Sequence, residues 1–215
     1  MDGNRRWAKG KGMPAVSGHE KGARKLEEIS RYIFDKGIEN LVVYAFSTEN
    51  WKRSEEEVSY LMNLLASFLS DKRLRKLLQE DVKIRVLGER SSLPESLQKK
   101  VSKAEKINPE AKYTLWIALS YGSRLEILRA AQSAARKYGN SFSEDEFRKE
   151  FWSSKMPDPD LVIRTGGEMR LSNFLLWQLA YSELFFTDSF WPDFSKEELD
   201  AILKEYTKRK RRFGK

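Results

Sequence analysis

Short apolar segments alternate with longer amphipathic ones along most of this chain. NLVVYAF and YTLWIALSY have the composition of buried β-strands, whereas the apolar residues of GHEKGARKLEEISRYIFDKG recur at helical spacing up to Gly37. Parallel strands need a long crossover between them, and a helix is the usual crossover. The alternation therefore predicts an α/β fold with a mainly parallel central sheet flanked by helices.

The same alternation continues to the end of the sequence. KIRVLG, DLVIRTG and ELFFT are predicted strands, and FLLWQLA is a predicted short helical segment. After an opening loop, further helices are predicted at EEEVSYLMNLLASFLSDKRLRKLLQE, LPESLQKKVSKAEK, RLEILRAAQSAARKYG, SEDEFRKEFW and SKEELDAILKEYTKRKRR. With 215 residues, 40% of them hydrophobic, the chain is long enough for one sizeable core, so we expect a single domain over residues 1–215.

The residue types that the chain lacks limit its chemistry. There is no cysteine, which excludes disulfides and thiolate metal sites, and the single histidine, His19, excludes a multi-histidine site. Any metal must bind through oxygen ligands, which favours a hard ion such as Mg2+. No apolar run approaches the ~18 residues that span a bilayer, and no signal peptide is recognisable. The sequence therefore predicts a soluble, cytoplasmic protein that can touch a membrane only at its surface.

The charge balance favours anionic partners. The 40 Lys and Arg residues exceed the 32 Asp and Glu residues, so the formal net charge is +8. Nucleic acid, phosphorylated small molecules and an anionic membrane surface all fit this charge, and the charge does not choose among them.

Polar loops follow several of the predicted strands. STENWKR follows Phe46, GSR follows Tyr121 and RTGGEMRLSN follows Ile163. In a parallel sheet these carboxyl ends meet at one rim, which is where ligands bind. The opening DGNRR would join the same set if a strand preceded it. Together the loops predict a basic cleft with a few carboxylates, suited to phosphates and a cation.

Two of these stretches suggest phosphate chemistry directly. In RTGGEMRLSN, Arg164 and Arg170 can present forked donors to phosphate oxygens, and Ser172 adds a hydroxyl. In DGNRRW, Asp2 can bind Mg2+ while the following amide and arginines hold a diphosphate. The alternative for both is an ordinary polar turn with solvated charges.

Other candidates have plain structural alternatives. His19 follows Gly18 at a predicted helix start, where it can donate to an anion or simply be structural. In STENWKR, Ser47 or Thr48 can cap the next helix and Trp51 can pack in the core. The apolar helix faces are either core or the wall of a ligand tunnel, and the pattern does not separate the two.

Several separate stretches resemble one family. MDGNRRWA, GH at 18–19, YAFSTENWKRSEEEV, SYGSR, DLVIRTGGEMRLSNFLLWQLAYSELFFTD, WPDF and RRFG occur in the order found in the cis-prenyltransferases, the undecaprenyl diphosphate synthase family. The resemblance runs from residue 1 to residue 214. It implies Mg2+-dependent condensation of isopentenyl diphosphate with an allylic diphosphate primer such as farnesyl diphosphate. The product would be a long Z-polyprenyl diphosphate that serves as a glycan lipid carrier, grown in an apolar tunnel between sheet and helices.

The resemblance also assigns roles to individual residues. It implies catalytic roles for Asp2 and Asn50, and metal binding by Asp2 and Glu183. The implied allylic diphosphate site comprises Gly3, Asn4, Arg5, Arg6, Trp7, His19 and Arg53. The implied isopentenyl diphosphate site comprises Arg164, Arg170, Ser172, Arg212 and Gly214, and a loop between the two sites contains Ser47, Glu49 and Trp51.

The family pattern further implies a homodimer in which the tail with Arg212 and Gly214 completes the partner's site. The family pattern also implies contact with the membrane surface for product release, and it implies no nucleic-acid partner. Two other classes compete. One is a non-catalytic partner subunit, against which the retained Asp2, Arg164, Arg170 and Glu183 argue, and the other is a basic nucleic-acid-binding module using the KRKRRFGK tail. Only charge supports the latter.

The chain departs from common bacterial members of the family at several positions. They are Arg5, Ala15, Ser54, Ser120 and Ser123, together with the bulky Trp116, which either lines the tunnel or packs outside it. Our hypothesis is that Arg5 supplies the positive charge lost at Ala15. Relatives also place a strand of the type HIAII directly before the Asp2 motif. We therefore expect a short natural segment ahead of this sequence, and weak activity without it.

Overall fold

The computed structural model describes residues 1–70 and 81–209. Its helices are α1 (Asn4–Gly10), α2 (Ala15–Asp35), α3 (Glu55–Phe68), α4 (Glu95–Ala104), α5 (Ser123–Tyr138), α6 (Glu144–Lys149) and α7 (Lys196–Lys208). Its strands are β1 (Asn40–Ser47), β2 (Val82–Leu87), β3 (Tyr113–Tyr121), β4 (Leu161–Arg164) and β5 (Glu183–Phe186). Short 3-10 helices occupy Thr48–Lys52, Arg90–Ser92 and Trp191–Asp193.

All the strand pairs of the described chain are parallel. One sheet has the order β1-β3-β2, with Val43 opposite Ile117 and Ile84 opposite Leu115. A second sheet pairs β4 with β5. The predicted α/β fold with a parallel sheet flanked by helices is confirmed. The described strands form two separate sheets and not one central sheet. β1 and β4 both line a common cavity but make no backbone hydrogen-bond ladder with each other.

The strand β3 carries the core on both of its faces. Leu115, Ile117 and Leu119 pack into one apolar cluster with α2 and α3, whereas Trp116 and Ala118 point into a second cluster on the opposite face. Burying each large side chain stabilises the fold by about 1.5–3 kcal/mol. Trp116 is therefore part of the second core cluster, where its indole nitrogen donates to Asn40 Oδ1 over 2.9 Å.

The predicted opening loop is wrong beyond its third residue. Residues from Asn4 onward form α1, whose first turn is closed by a hydrogen bond of 2.8 Å from the Trp7 amide to the Gly3 carbonyl. The helix packs closely on α2 at Gly18, where an added Cβ would lie only 2.0 Å from the Asn4 carbonyl oxygen. Because α2 begins at Ala15, His19 is the fifth residue of this helix and does not lie at its start as the sequence predicts.

The predicted helical segment FLLWQLA is also wrong. It forms a series of turns, because Leu175 has a φ of 45°, which a right-handed helix excludes. The predicted helix that begins at Glu55 is confirmed as far as Phe68, and its continuation through residues 71–80 lies outside the described residues. No helix in the described ranges is both long and apolar enough to cross a membrane.

Candidate active site

Asp2 is fixed at the carboxyl end of β4. Its amide donates to Thr165 Oγ1 over 3.0 Å, and the Thr165 hydroxyl donates back to the Asp2 carbonyl over 2.9 Å. Its carboxylate accepts from Arg164 Nη2 over 2.9 Å and from the Gly3 amide over 2.6 Å. Both backbone and side chain of Asp2 are thus held at the rim where the strand analysis predicts a ligand site.

The surroundings of Asp2 keep its carboxyl group ionised. Burial on its own would raise the pKa, but the hydrogen bonds from Arg164 and from the Gly3 amide, together with the charge of Arg6, hold the pKa of Asp2 below its usual value. The result is an anionic oxygen pair among arginines. Such a carboxylate suits Mg2+, which commonly binds one or two carboxylates and completes its shell with substrate phosphate oxygens.

A second carboxylate, Glu168, joins arginines from the two predicted diphosphate sites. Its Oε1 accepts from Arg6 Nη1 over 3.3 Å, and its Oε2 accepts from Arg170 Nη1 over 2.5 Å. Arg6 also lies 3.4 Å from the Asp2 carboxylate. Arg164 completes the group, since its Nη1 donates to Ser172 Oγ over 2.8 Å. Five predicted site residues from distant parts of the sequence, Asp2, Arg6, Arg164, Arg170 and Ser172, are therefore in one cluster.

Glu57, on the first turn of α3, organises the other predicted residues. Its carboxylate lies 2.9 Å from Arg53, 3.6 Å from Arg5 and 3.9 Å from His19. Burial, followed by the charge of Arg53, lowers the pKa of His19, although Glu57 acts in the opposite direction. His19 is therefore neutral at pH 7, and its buried Nε2 has no hydrogen-bond partner among residues 1–70 and 81–209.

The loop after β1 forms a short 3-10 helix, Thr48–Lys52. Asn50 Oδ1 accepts from the Ser47 amide over 3.1 Å, which ties the start of this helix to its third residue. Trp51 packs edge-on against Phe46 at 5.0 Å and donates to Ser120 Oγ over 2.8 Å. Its role here is therefore packing, the plainer of its two interpretations, and Ser120 provides the acceptor.

Ser54 caps the helix that follows. Its hydroxyl accepts from the Glu57 amide over 3.3 Å, so neither Ser47 nor Thr48 is the cap of α3. Because this cap sets the start of α3, it also places the carboxylate of Glu57 beside the arginines.

A cavity of about 1430 Å³ joins these groups. It follows α2 from His19 to Ile33, a span of roughly 21 Å at 1.5 Å per helical residue. Its polar lining contains Asp2, Gly3, Asn4, Arg5, Arg6, His19, Ser47, Glu49, Asn50, Arg53, Arg164, Arg170 and Ser172. Its apolar lining includes Leu26, Ile29, Leu61, Leu64, Leu65, Phe68, Leu199 and Leu203. Most of the predicted site residues therefore share one cavity with a long apolar wall.

Some predicted residues lie elsewhere. Trp7 is not in the cavity wall, and the Lys11 ammonium lies 5.4 Å from its ring. Glu183 is at the amino end of β5, where it accepts from Arg209 over 2.7 Å. Three residues separate Glu183 from Phe186, the residue at the carboxyl end of β5, which corresponds to roughly 10 Å along a strand. The structure does not bring Glu183 to Asp2, and its role as a metal ligand stays a prediction.

The tail residues Arg212 and Gly214 lie outside the described residues. Within residues 1–70 and 81–209 there is no cluster of three or more His, Asp or Glu side chains that could hold a metal. A cation at Asp2 would therefore depend on oxygens from bound substrate.

Sequence reasoning missed three residues that connect the site. Thr165 and Glu168 lie within RTGGEMRLSN but carry no distinctive motif, and Glu57 has the ordinary appearance of an acid in a helix's first turn. Their functions depend on contacts between residues far apart in sequence. Only the folded arrangement identifies them.

Comparisons with known proteins identify the family and agree with the fold. The family model of undecaprenyl diphosphate synthases matches residues 1–214. An isoprenyl transferase of Fusobacterium nucleatum is 45% identical over 215 residues, covering 100% of this chain and 93% of the relative. A ditrans,polycis-undecaprenyl-diphosphate synthase of Micrococcus luteus, specific for (2E,6E)-farnesyl diphosphate, is 46% identical over 221 residues, covering 100% and 88%.

A solved structure is similar as well. The lavandulyl diphosphate synthase of Lavandula x intermedia, in complex with dimethylallyl diphosphate, superposes with a TM-score of 0.95 at 36% identity, covering 100% of this chain and 95% of that one. The resemblance identified from the motifs is confirmed over almost the whole sequence. This chain belongs to the undecaprenyl diphosphate synthase family and is a prenyl transferase.

Proposed function

We propose that this protein elongates prenyl chains in the cis configuration. The substrates are an allylic diphosphate primer, such as farnesyl diphosphate, and isopentenyl diphosphate, and the product is a long Z-polyprenyl diphosphate. The observation that carries this proposal is the position of Asp2, whose carboxylate contacts Arg164 and Arg6 at the rim of a cavity with apolar walls.

The two groups of arginines suit two diphosphates. On one side, Arg5 and Arg53 gather around Glu57, and with Gly3, Asn4, Arg6 and His19, which also line the cavity, they form the proposed allylic diphosphate site. On the other side, Arg164, Arg170 and Ser172 form the proposed isopentenyl diphosphate site. Forked guanidinium donors match phosphate oxygens in pairs, so each group can hold one diphosphate. In the proposed allylic diphosphate site, Arg5 supplies the positive charge that many bacterial members of the family carry at the position of Ala15.

The reaction forms one bond and breaks another. The alkene electrons of isopentenyl diphosphate form a bond to the first carbon of the primer, the bond from that carbon to the diphosphate oxygen breaks, and a proton then leaves the former isopentenyl unit. Arginines around the leaving diphosphate stabilise the negative charge that develops there. Ionised Asp2, held between the two sites, can accept the proton.

Asn50 contributes to the proposed reaction by orientation. Asn50 lines the cavity, and because its Oδ1 accepts from the Ser47 amide, its Nδ2 group is the part of the side chain that can donate to a ligand. A donor at this position can fix the primer diphosphate relative to the attacking alkene, which makes the encounter effectively unimolecular.

The proposed cofactor is Mg2+, held by Asp2 together with diphosphate oxygens, with Glu183 as the second proposed acidic residue. When bound it would neutralise diphosphate charge and assist departure of the leaving group. A bound Mg2+ would share the Asp2 carboxylate with Arg164 and Arg6, which contact it now. The lowered pKa of Asp2 keeps this carboxylate anionic and therefore able to bind a cation.

The apolar wall of the cavity is the proposed tunnel for the growing chain. Leu61, Leu64 and Phe68 on α3 line it together with Leu26 and Ile29 on α2. A polyprenyl chain buries its surface against such side chains, which stabilises the bound product. The proposal has further parts. The product serves as a glycan lipid carrier, and the protein is a homodimer in which Arg212 and Gly214 complete the partner's site. It is located in the cytoplasm and contacts the membrane when the product is released.

The direct test is an elongation assay. Purified protein is incubated with farnesyl diphosphate, radiolabelled isopentenyl diphosphate and Mg2+, and the products are sized by chromatography. We expect labelled products extended by several five-carbon units and their disappearance when a chelator removes Mg2+. Products no longer than a single condensation, or no labelled product, would overturn chain elongation.

A further inference from the structure

Three loops of the site meet at Gly122, between β3 and α5. A Cβ added at this glycine would lie 2.5 Å from Thr48 Oγ1 and 2.7 Å from Asn173 Nδ2. The 3-10 helix after β1, the turn after β3 and the loop after β4 are therefore in direct contact at one point. A larger residue at position 122 would separate them.

The Asn173 side chain fastens these three loops together. Its Nδ2 donates to Glu49 Oε1 over 2.9 Å, and its Oδ1 accepts from the Arg124 amide over 2.8 Å. Its carbonyl oxygen also accepts from the Ser123 amide over 2.8 Å. The residue has a φ of 63°, a conformation that asparagine tolerates better than most residues. The nitrogen and the oxygen of its side-chain amide therefore hydrogen-bond to two different segments, one after β1 and one at the start of α5.

This bridge joins the loop between the two proposed sites to the loop that contains Ser172. Glu49 is next to Asn50 in the loop between the sites, and Ser172, next to Asn173, is bonded to Arg164 in the isopentenyl site. Burial would raise the pKa of Glu49, but hydrogen bonds, the largest from Asn173, hold the pKa below its usual value. Glu49 is therefore an anionic acceptor for the amide.

We propose that Asn173 is a positioning residue that couples the two substrate sites, through its hydrogen bond to Glu49 and its anchor on the start of α5. The Thr48–Lys52 helix and the loop that holds Ser172 are joined through Asn173, so a displacement of one on primer binding is transmitted to the other. Primer binding then tightens isopentenyl diphosphate binding, and the converse holds by linkage. This inference rests on the proposed function and adds a residue to it.

The test exchanges donor and acceptor. Asn173→Asp keeps the acceptor for the Arg124 amide and the favoured backbone conformation, but it places a carboxylate against Glu49. We expect kcat/KM to fall about tenfold or more, since a charge-assisted bond is replaced by like-charge repulsion. Glu49→Gln added to Asn173→Asp restores a donor opposite an acceptor and should recover most of the loss.

The readout that a merely structural residue would not move is the coupling itself. Calorimetry gives the Kd of isopentenyl diphosphate with and without a non-reactive thio analogue of farnesyl diphosphate. In the original protein the analogue should lower this Kd; in Asn173→Asp it should change the Kd little; in the double variant the effect should return. Asn140→Asp, at an exposed position, is the matched control and should behave like the original protein.

A second variant keeps the test decisive if Asn173→Asp does not fold. Glu49→Ala, at an exposed position, removes the acceptor alone and should reduce the coupling in the same way. Unchanged coupling in either folded variant, or no rescue in the double variant, would overturn the role of Asn173. Failure of the original protein to elongate any primer would instead overturn the proposed function.

Discussion

The Asp2 carboxylate accepts a hydrogen bond of 2.9 Å from the Arg164 guanidinium, although the two residues are 162 positions apart in the sequence. This contact joins the first residues of the chain to the end of β4. It fixes the ionised acid of the site and directs one fork of Arg164 at it, while the other fork reaches Ser172. The arrangement depends on a planar guanidinium.

Arg164→Lys should therefore lower kcat/KM by about a hundredfold, since an ammonium cannot bridge Asp2 and Ser172 and bind a diphosphate in the same geometry. Steady-state kinetics with both substrates measure this loss. Arg136→Lys, on the exposed face of α5, is the matched control and should be silent. Equal kinetics for Arg164→Lys and the control would remove Arg164 from the site.

Glu57 competes with a bound diphosphate for Arg5 and Arg53. Glu57→Gln removes the negative charge but keeps an acceptor oxygen, so the loss of competition should exceed the loss of side-chain order. We expect inorganic diphosphate to bind several-fold more tightly, as judged by calorimetry at pH 7.5. Glu55→Gln, exposed on the same helical turn, should change binding little. Weaker binding by Glu57→Gln would show that Glu57 instead acts by holding the arginines in place.

His19 should make folding stability depend on pH. Its pKa in the folded protein is below the 6.5 of an ordinary histidine, because of burial and of the charges of Arg53 and Arg5, with Glu57 opposing. Below about pH 6.5 the unfolded chain therefore binds more protons than the folded one at this residue, so stability falls as the pH falls. Urea unfolding at pH 7.5 and pH 5.8 should show a smaller decrease for His19→Gln than for the original protein. An equal or larger decrease would contradict the lowered pKa.

The contact between α1 and α2 should not tolerate a methyl group at Gly18. Gly18→Ala places a Cβ against the Asn4 carbonyl, and relief requires α1 to move together with Asp2. We expect a loss of about 1–3 kcal/mol in the free energy of unfolding and a larger proportional loss of activity. Gly10→Ala, with open space around the new methyl group, should be neutral or slightly stabilising. Comparable results for the two variants would mean that α1 packs loosely.

The sequence predicts regular structure where the pattern is strong. The nine-residue strand β3 is recognisable because eight of its residues are buried and apolar or small. The turn at Leu175 was not predictable as such, because FLLWQLA has good helical composition and only tertiary contacts maintain its positive φ. Helix α1 was missed for the opposite reason, since DGNRR has turn composition and its helix depends on packing against Gly18.

The candidate site was predicted to the same extent. Motif residues such as Arg164 and Arg53 could be proposed from the stretches that contain them. The partners that organise these residues, Glu57, Glu168 and Asn173, could not, because each joins segments that are distant in the sequence. Local composition contains no record of such pairs.

The central claim is that ionised Asp2, held by Arg164, serves prenyl chain elongation. Its most direct test is the elongation rate of Asp2→Asn beside that of the original protein, with farnesyl diphosphate, labelled isopentenyl diphosphate and Mg2+, together with the Kd of isopentenyl diphosphate for each. We predict products several units longer than the primer for the original protein, and for Asp2→Asn a rate lower by about a thousandfold with the Kd changed much less. An Asp2→Asn protein that elongates the primer at the original rate would contradict the account.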